Sequence, residues 1–130
     1  MMRLYKNDIL NILKDYNLSS NEFIILSGVS LVLQDIKEYT SDIDIAVSLD
    51  LYNKILSNFD CCFEKNLNGY DVWFINNILN FSNHYYDDCE YINLFDYKLQ
   101  SLDSVLKLKK KLNREKDKND INSILSKIGK

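Results

Sequence analysis

Two aspartates, Asp42 and Asp44, stand one residue apart in the alternating run Asp42-Ile43-Asp44-Ile45-Ala46-Val47. Side chains alternate across a strand, so both carboxylates project from one face while Ile43, Ile45 and Val47 take the other. Neighbouring carboxylates without a counter-charge repel, which drives their pKa values apart. A divalent cation removes that conflict, and hard oxygen ligands suit Mg2+ or Mn2+. An exposed strand face also carries Asp-x-Asp without any chemistry, so the pair alone decides nothing. Upstream, Gly28-Val29-Ser30 follows the apolar run Phe23-Ile24-Ile25-Leu26 and opens a helical pattern. Backbone N–H groups at such a turn bind phosphate, glycine allows close approach, and a serine hydroxyl adds a donor. A plain strand-to-helix turn with a serine cap has the same spelling.

The surrounding elements must hold these residues in place. The spacing of Ile9, Ile12, Leu13 and Tyr16 predicts a helix over 5–16, followed by a turn at 17–21. A buried strand over 23–26, a helix over 29–36 and an alternating strand over 42–47 come next. A helix over 51–59 precedes strands at 61–65, 70–75 and 78–82, with Asn68-Gly69 as the hairpin turn between the first two. The stretch 83–96 reads as irregular, and two helices over 101–113 and 115–129 close the chain as a hairpin. This order implies an α/β (α+β) fold: one domain over 1–130, a mixed β-sheet with flanking helices.

The first helix of that hairpin carries an anomaly. Leu102, Val105, Leu106, Leu108 and Leu112 define one apolar arc, and Lys109 falls near its middle, while Lys107, Lys110 and Lys111 fall outside. A lysine on a core-facing stripe must snorkel, pair with an acid or reach into a cleft. Asp117 lies on the inner face of the last helix with Ile121, Ile124, Leu125 and Ile128. A salt bridge from Lys109 or Arg114 to Asp117 is the structural reading. A phosphate contact by Lys109 is the functional one.

Together these pieces resemble a known family. Leu26-Ser27-Gly28-Val29-Ser30-Leu31-Val32-Leu33, followed by Thr40-Ser41-Asp42-Ile43-Asp44-Ile45, is similar to the core motif of the nucleotidyltransferase superfamily, the polymerase-beta-like fold. There a Gly-Gly or Gly-Ser turn precedes an Asp-x-Asp strand. Leu108-Lys109, Arg114-Glu115-Lys116-Asp117 and Asp120-Ile121 resemble the Leu-Lys…Arg-x-Lys-Asp-x-x-Asp-Ile pattern of its abortive-infection (AbiEii-like) type, often encoded beside an antitoxin. The resemblance implies a nucleotidyltransferase fold. It also implies metal-dependent transfer of a nucleotidyl group from an NTP to an acceptor hydroxyl on RNA, a protein side chain or a small molecule. Asp42 and Asp44 would be the catalytic metal ligands. Gly28, Ser30, Thr40 and Lys109 would meet the nucleotide's phosphates, and Arg114, Lys116, Asp117 and Asp120 would be auxiliary or structural.

The departures are specific. The family usually has a third carboxylate on a later strand, and the equivalent in Ile78-Leu79-Asn80-Phe81 is Asn80, with Asp71 the alternative if the pairing shifts. An amide ligates metal through its oxygen but does not act as a base. Glu38 stands where the family often has arginine, and Gly28-Val29-Ser30 is looser than Gly-Gly or Gly-Ser. These motivate an alternative: a catalytically silent nucleotidyltransferase-like binding module, half of a toxin–antitoxin pair. A further rival is an unrelated α/β interaction domain in which Asp42 and Asp44 are merely exposed.

Composition narrows the remaining classes. The chain is 46% hydrophobic and 27% charged, as in ordinary globular proteins. It has no long apolar run to span a membrane and no signal-like N-terminus, so a cytoplasmic location is expected. Three cysteines, Cys61, Cys62 and Cys89, form no CxxC and read as reduced packing residues. The net charge of −3 hides −8 over residues 1–102 and +5 over 103–130. A basic C-terminal segment beside an acidic body suits phosphate, although a lysine-bearing solvated helix reads the same. His84 with Asp87, Asp88 and Cys89 matches no metal-site spacing and reads as a loop. Tyr85, Tyr86, Tyr91 and Trp73 read as packing residues.

Overall fold

The computed structural model describes residues 3–129. Among the described residues, five helices pack on a seven-stranded mixed sheet. The chain runs α1 (Lys6–Tyr16), β1 (Phe23–Ile25), α2 (Ser27–Leu33), β2 (Ile43–Val47) and α3 (Leu49–Asn58). It continues through β3 (Cys62–Leu67), β4 (Tyr70–Ile75), β5 (Leu79–Ser82), β6 (Tyr91–Leu94), β7 (Tyr97–Gln100), α4 (Leu102–Leu112) and α5 (Lys118–Ile128). Strand order is β3-β4-β5-β2-β1-β7-β6. β1 and β2 form an antiparallel centre, and each gains a parallel neighbour, β7 and β5 respectively. Antiparallel hairpins complete both edges.

The two-residue alternation of β2 decides which face is core. Ile43, Ile45 and Val47 are buried against Phe23, Ile25, Leu79 and Phe81 and under Ile9, Leu13, Leu51 and Ile55 of α1 and α3. Asp42 and Asp44 therefore point to the opposite face. A smaller cluster, Leu31, Val105 and Ile124, fastens α2 to the α4–α5 hairpin. Among the described residues no helix is long and apolar enough to cross a membrane.

Most boundaries shift by one or two residues from the sequence reading, and three differences are larger in consequence. α2 occupies Ser27–Leu33 and not 29–36, because Asp35 turns left-handed at φ 63 and the Ile36 and Lys37 amides fold back onto the Leu31 carbonyl. The stretch 83–96, expected to be irregular, contains β6 and the turn that leads into β7 just beyond it. That turn, Phe95-Asp96, has φ 56 and 65, a geometry usually spelled with asparagine or glycine, so the usual signal is missing. α5 starts at Lys118 after a 3-10 turn at Glu115–Asp117. The Asn68-Gly69 turn is as expected, with φ 53 and 89.

Candidate functional site

The carboxylate centre is assembled by strand register. β2 and β5 run parallel with Asp44 opposite Asn80. The Asn80 amide nitrogen donates to Asp42 Oδ2 at 3.1 Å and to Asp44 Oδ1 at 3.0 Å, joining the three side chains. Of the two residues considered as a third ligand, Asn80 adjoins both aspartates and Asp71 does not, since it pairs with Asn66 on the exposed β3–β4 arm. Burial pushes the Asp44 carboxyl up to about 6, the negative charges of Asp42 and Glu64 add to the rise, and the Asn80 hydrogen bond and Lys65 oppose it. One amide does not neutralise two carboxylates.

The glycine turn adjoins this centre through the backbone. The Leu26 amide donates to the Asp44 carbonyl at 2.9 Å, so the chain enters Ser27-Gly28 directly beside Asp44. Ser27 adopts φ 51, an uncommon conformation for a non-glycine residue. Its amide is held by Gln100 Oε1 at 2.8 Å. Gly28 sits in a tight place: a Cβ there would press on Thr40 Oγ1 at 3.2 Å and lie in ordinary contact with Lys37 Nζ at 3.9 Å. Thr40, expected at the nucleotide, therefore does face Gly28. Its backbone is fixed by paired hydrogen bonds with Leu4 at 2.7 and 3.0 Å.

Two expected phosphate contacts are otherwise engaged. Ser30 is 0% exposed, and its hydroxyl donates to the Gln100 carbonyl at 2.7 Å while accepting from Gln34 at 2.9 Å. Helical rotation turns it inward, away from the position Gly28 takes. Lys109 is 4% exposed and bonds Asp117 Oδ1 at 2.9 Å and Asp120 Oδ2 at 3.3 Å. The apolar-arc position thus resolves into the acid-paired alternative, since burying an ammonium requires counter-charges. Arg114 closes on Asp117 Oδ2 at 2.6 Å. Burial alone would raise the Asp117 carboxyl, but the hydrogen bonds from Lys109 and Arg114 outweigh it and hold it below the ordinary range. Lys116 is exposed on the 3-10 turn, and Asp120 also meets Lys37 at 3.3 Å.

Three participants were missed by reading the sequence: Gln100, Gln34 and Lys37. Gln100 is 73 residues from the amide it caps, so no local spacing announces it. Lys37 sits in the loop after α2 with no periodic signal. The other candidates remain packing groups. The His84 ring lies between Tyr70 and Tyr85, at 5.0 and 6.0 Å. Burial pushes the Cys89 thiol up to about 11, which leaves it inert.

Among the described residues no three His, Cys, Asp or Glu side chains gather around one point. The donor set of Asp42, Asp44 and the Asn80 amide nevertheless fits Mg2+, which keeps several waters and shares substrate phosphate oxygens. The excess negative charge is the observation that asks for a cation. No family model, curated protein or solved structure matches the chain.

Proposed function

We propose that the chain is a nucleotidyltransferase-fold domain that transfers a nucleotidyl group from an NTP to an acceptor hydroxyl with Mg2+ or Mn2+. The observation that carries this reading is the convergence of Asp42, Asp44 and Asn80 beside the Ser27-Gly28 turn, with negative charge in excess. The acceptor hydroxyl oxygen bonds to the α-phosphorus and its proton passes to solvent water, the bond from that phosphorus to the bridging oxygen of the leaving group breaks, and pyrophosphate leaves with the electron pair. A bound cation supplies positive charge against the developing charge on the phosphate oxygens. Asp42 and Asp44 would hold it, and the Asn80 amide oxygen would be the one further side-chain donor beside them. The Thr40 hydroxyl and the Lys37 ammonium stand beside Gly28, where they would supply hydrogen-bond donors to a phosphate.

Asn80 supports a second reading, a silent nucleotide-binding module with a cognate antitoxin as partner, because an amide does not take the acceptor's proton. Calorimetric titration with magnesium and each triphosphate, on wild type and Asp42→Ala/Asp44→Ala, is followed by incubation with radiolabelled triphosphate and cell extract. Binding lost in the double variant, with label on an acceptor, supports the enzyme and gives the acceptor class. Binding without label supports the silent module. No metal-dependent binding to wild type removes the site assignment.

A further inference from the structure

Three cations and two carboxylates meet where the α4–α5 hairpin touches the loop after α2. Asp117 holds Lys109 and Arg114, and Asp120 holds Lys109 and Lys37, which leaves one positive charge in surplus. The cations differ in how firmly they are held. Lys109 has only 5% of its side chain exposed and is shared by both acids. Arg114 has the shortest contact, 2.6 Å. Lys37 has one contact, at 3.3 Å, and keeps 37% of its side chain in solvent. Its ammonium also stands closest to the glycine turn, 3.9 Å from where a Gly28 Cβ would be, on the side occupied by Thr40 Oγ1. A compact ammonium on a flexible stem is well suited to exchange one carboxylate for a phosphate oxygen.

We propose that Lys37 is the phosphate-contacting cation of this site, leaving Asp120 to meet the polyphosphate of a triphosphate at the Gly28–Thr40 surface. This rests on the nucleotidyltransferase reading and transfers to Lys37 the role that the motif resemblance gives to Lys109. Asp120 then competes with the phosphate for Lys37.

The test uses magnesium tripolyphosphate, which has the phosphates and no base, and magnesium ATP, each titrated into the full chain by calorimetry. Lys37→Ala is expected to weaken both ligands by about tenfold or more. Lys37→Arg keeps the charge and is expected to bind within about 3-fold of wild type, which also covers the case of an unfolded alanine variant. Asp120→Asn frees Lys37 and is expected to tighten tripolyphosphate binding. A lysine that merely braces the hairpin gives the opposite pattern: Lys37→Ala and Asp120→Asn lower the melting temperature alike, and neither strengthens binding. Wild-type affinity in Lys37→Ala, with binding still abolished by Asp42→Ala/Asp44→Ala, overturns the role of Lys37 and leaves the site reading standing. Failure of wild type to bind either ligand overturns both.

Discussion

The Asp42–Asp44–Asn80 centre and the Lys109–Asp117 cluster are both partly buried charged groups, yet they are built on opposite principles. In the C-terminal cluster each carboxylate has two cationic partners, and the hydrogen bonds hold the Asp117 carboxyl down. In the sheet centre two carboxylates share one neutral amide, and Asp44 is pushed up to about 6. A satisfied cluster ties elements together. An unsatisfied one costs stability in the folded chain and gains a rationale when a cation binds there. Charge density alone does not separate a brace from a site; the balance of charge does.

The comparison breaks hardest at Asp117. Asp117→Ala leaves Lys109 buried with one shared partner and is expected to destabilise the fold by about 3–5 kcal/mol, read by urea unfolding. Removing charge from the other region is expected to act in the opposite direction. A raised carboxyl is protonated in both folded and unfolded chains below about pH 4. As pH climbs toward 6 the unfolded chain ionises first, so stability falls until the folded carboxyl also ionises. Asp44→Asn is therefore expected to gain roughly 2–3 kcal/mol at pH 8 and almost nothing at pH 4, measured by chemical denaturation at both. If the variant is less stable than wild type at pH 8, the account of an unbalanced centre is wrong.

Magnesium sharpens the contrast further. Saturating Mg2+ is expected to raise the melting temperature of wild type and leave Asp44→Asn unmoved, and the shift should shrink as pH drops through about 6 and protons compete for Asp44. An equal shift in both proteins would place the ion elsewhere. The smallest effect belongs to Gly28→Ala. Its Cβ would press on Thr40 Oγ1 at 3.2 Å. We expect a cost of about 1 kcal/mol that largely disappears in a Thr40→Ala background, read as the coupling in a double-mutant cycle.

Much of this was readable in the residues. Ile43, Ile45 and Val47 alternate with Asp44, and that period of two fixes both the core face and the face of the acids before any contact is known. Asn68-Gly69 spells its own hairpin. The Phe95-Asp96 turn does not, because Phe95 holds a left-handed position usually given to glycine, asparagine or aspartate and no glycine follows it. Lys109 was recognised as out of place on its helix, but position on a helix does not reveal which acid faces it.

The sequence by itself determined the local periodicities, and with them the strand that carries Asp42 and Asp44, the glycine turn, and the odd lysine of the last helical pair. Only the tertiary structure decided what those groups face. Asn80 reaches Asp44 through the β2–β5 register, Gln100 caps Ser27 from 73 residues away, and Lys37 is brought between Asp120 and Gly28. The reason is physical. Periodicity follows from backbone geometry within a few residues, whereas charge pairing and hydrogen-bond satisfaction depend on which distant segments the packed core brings together.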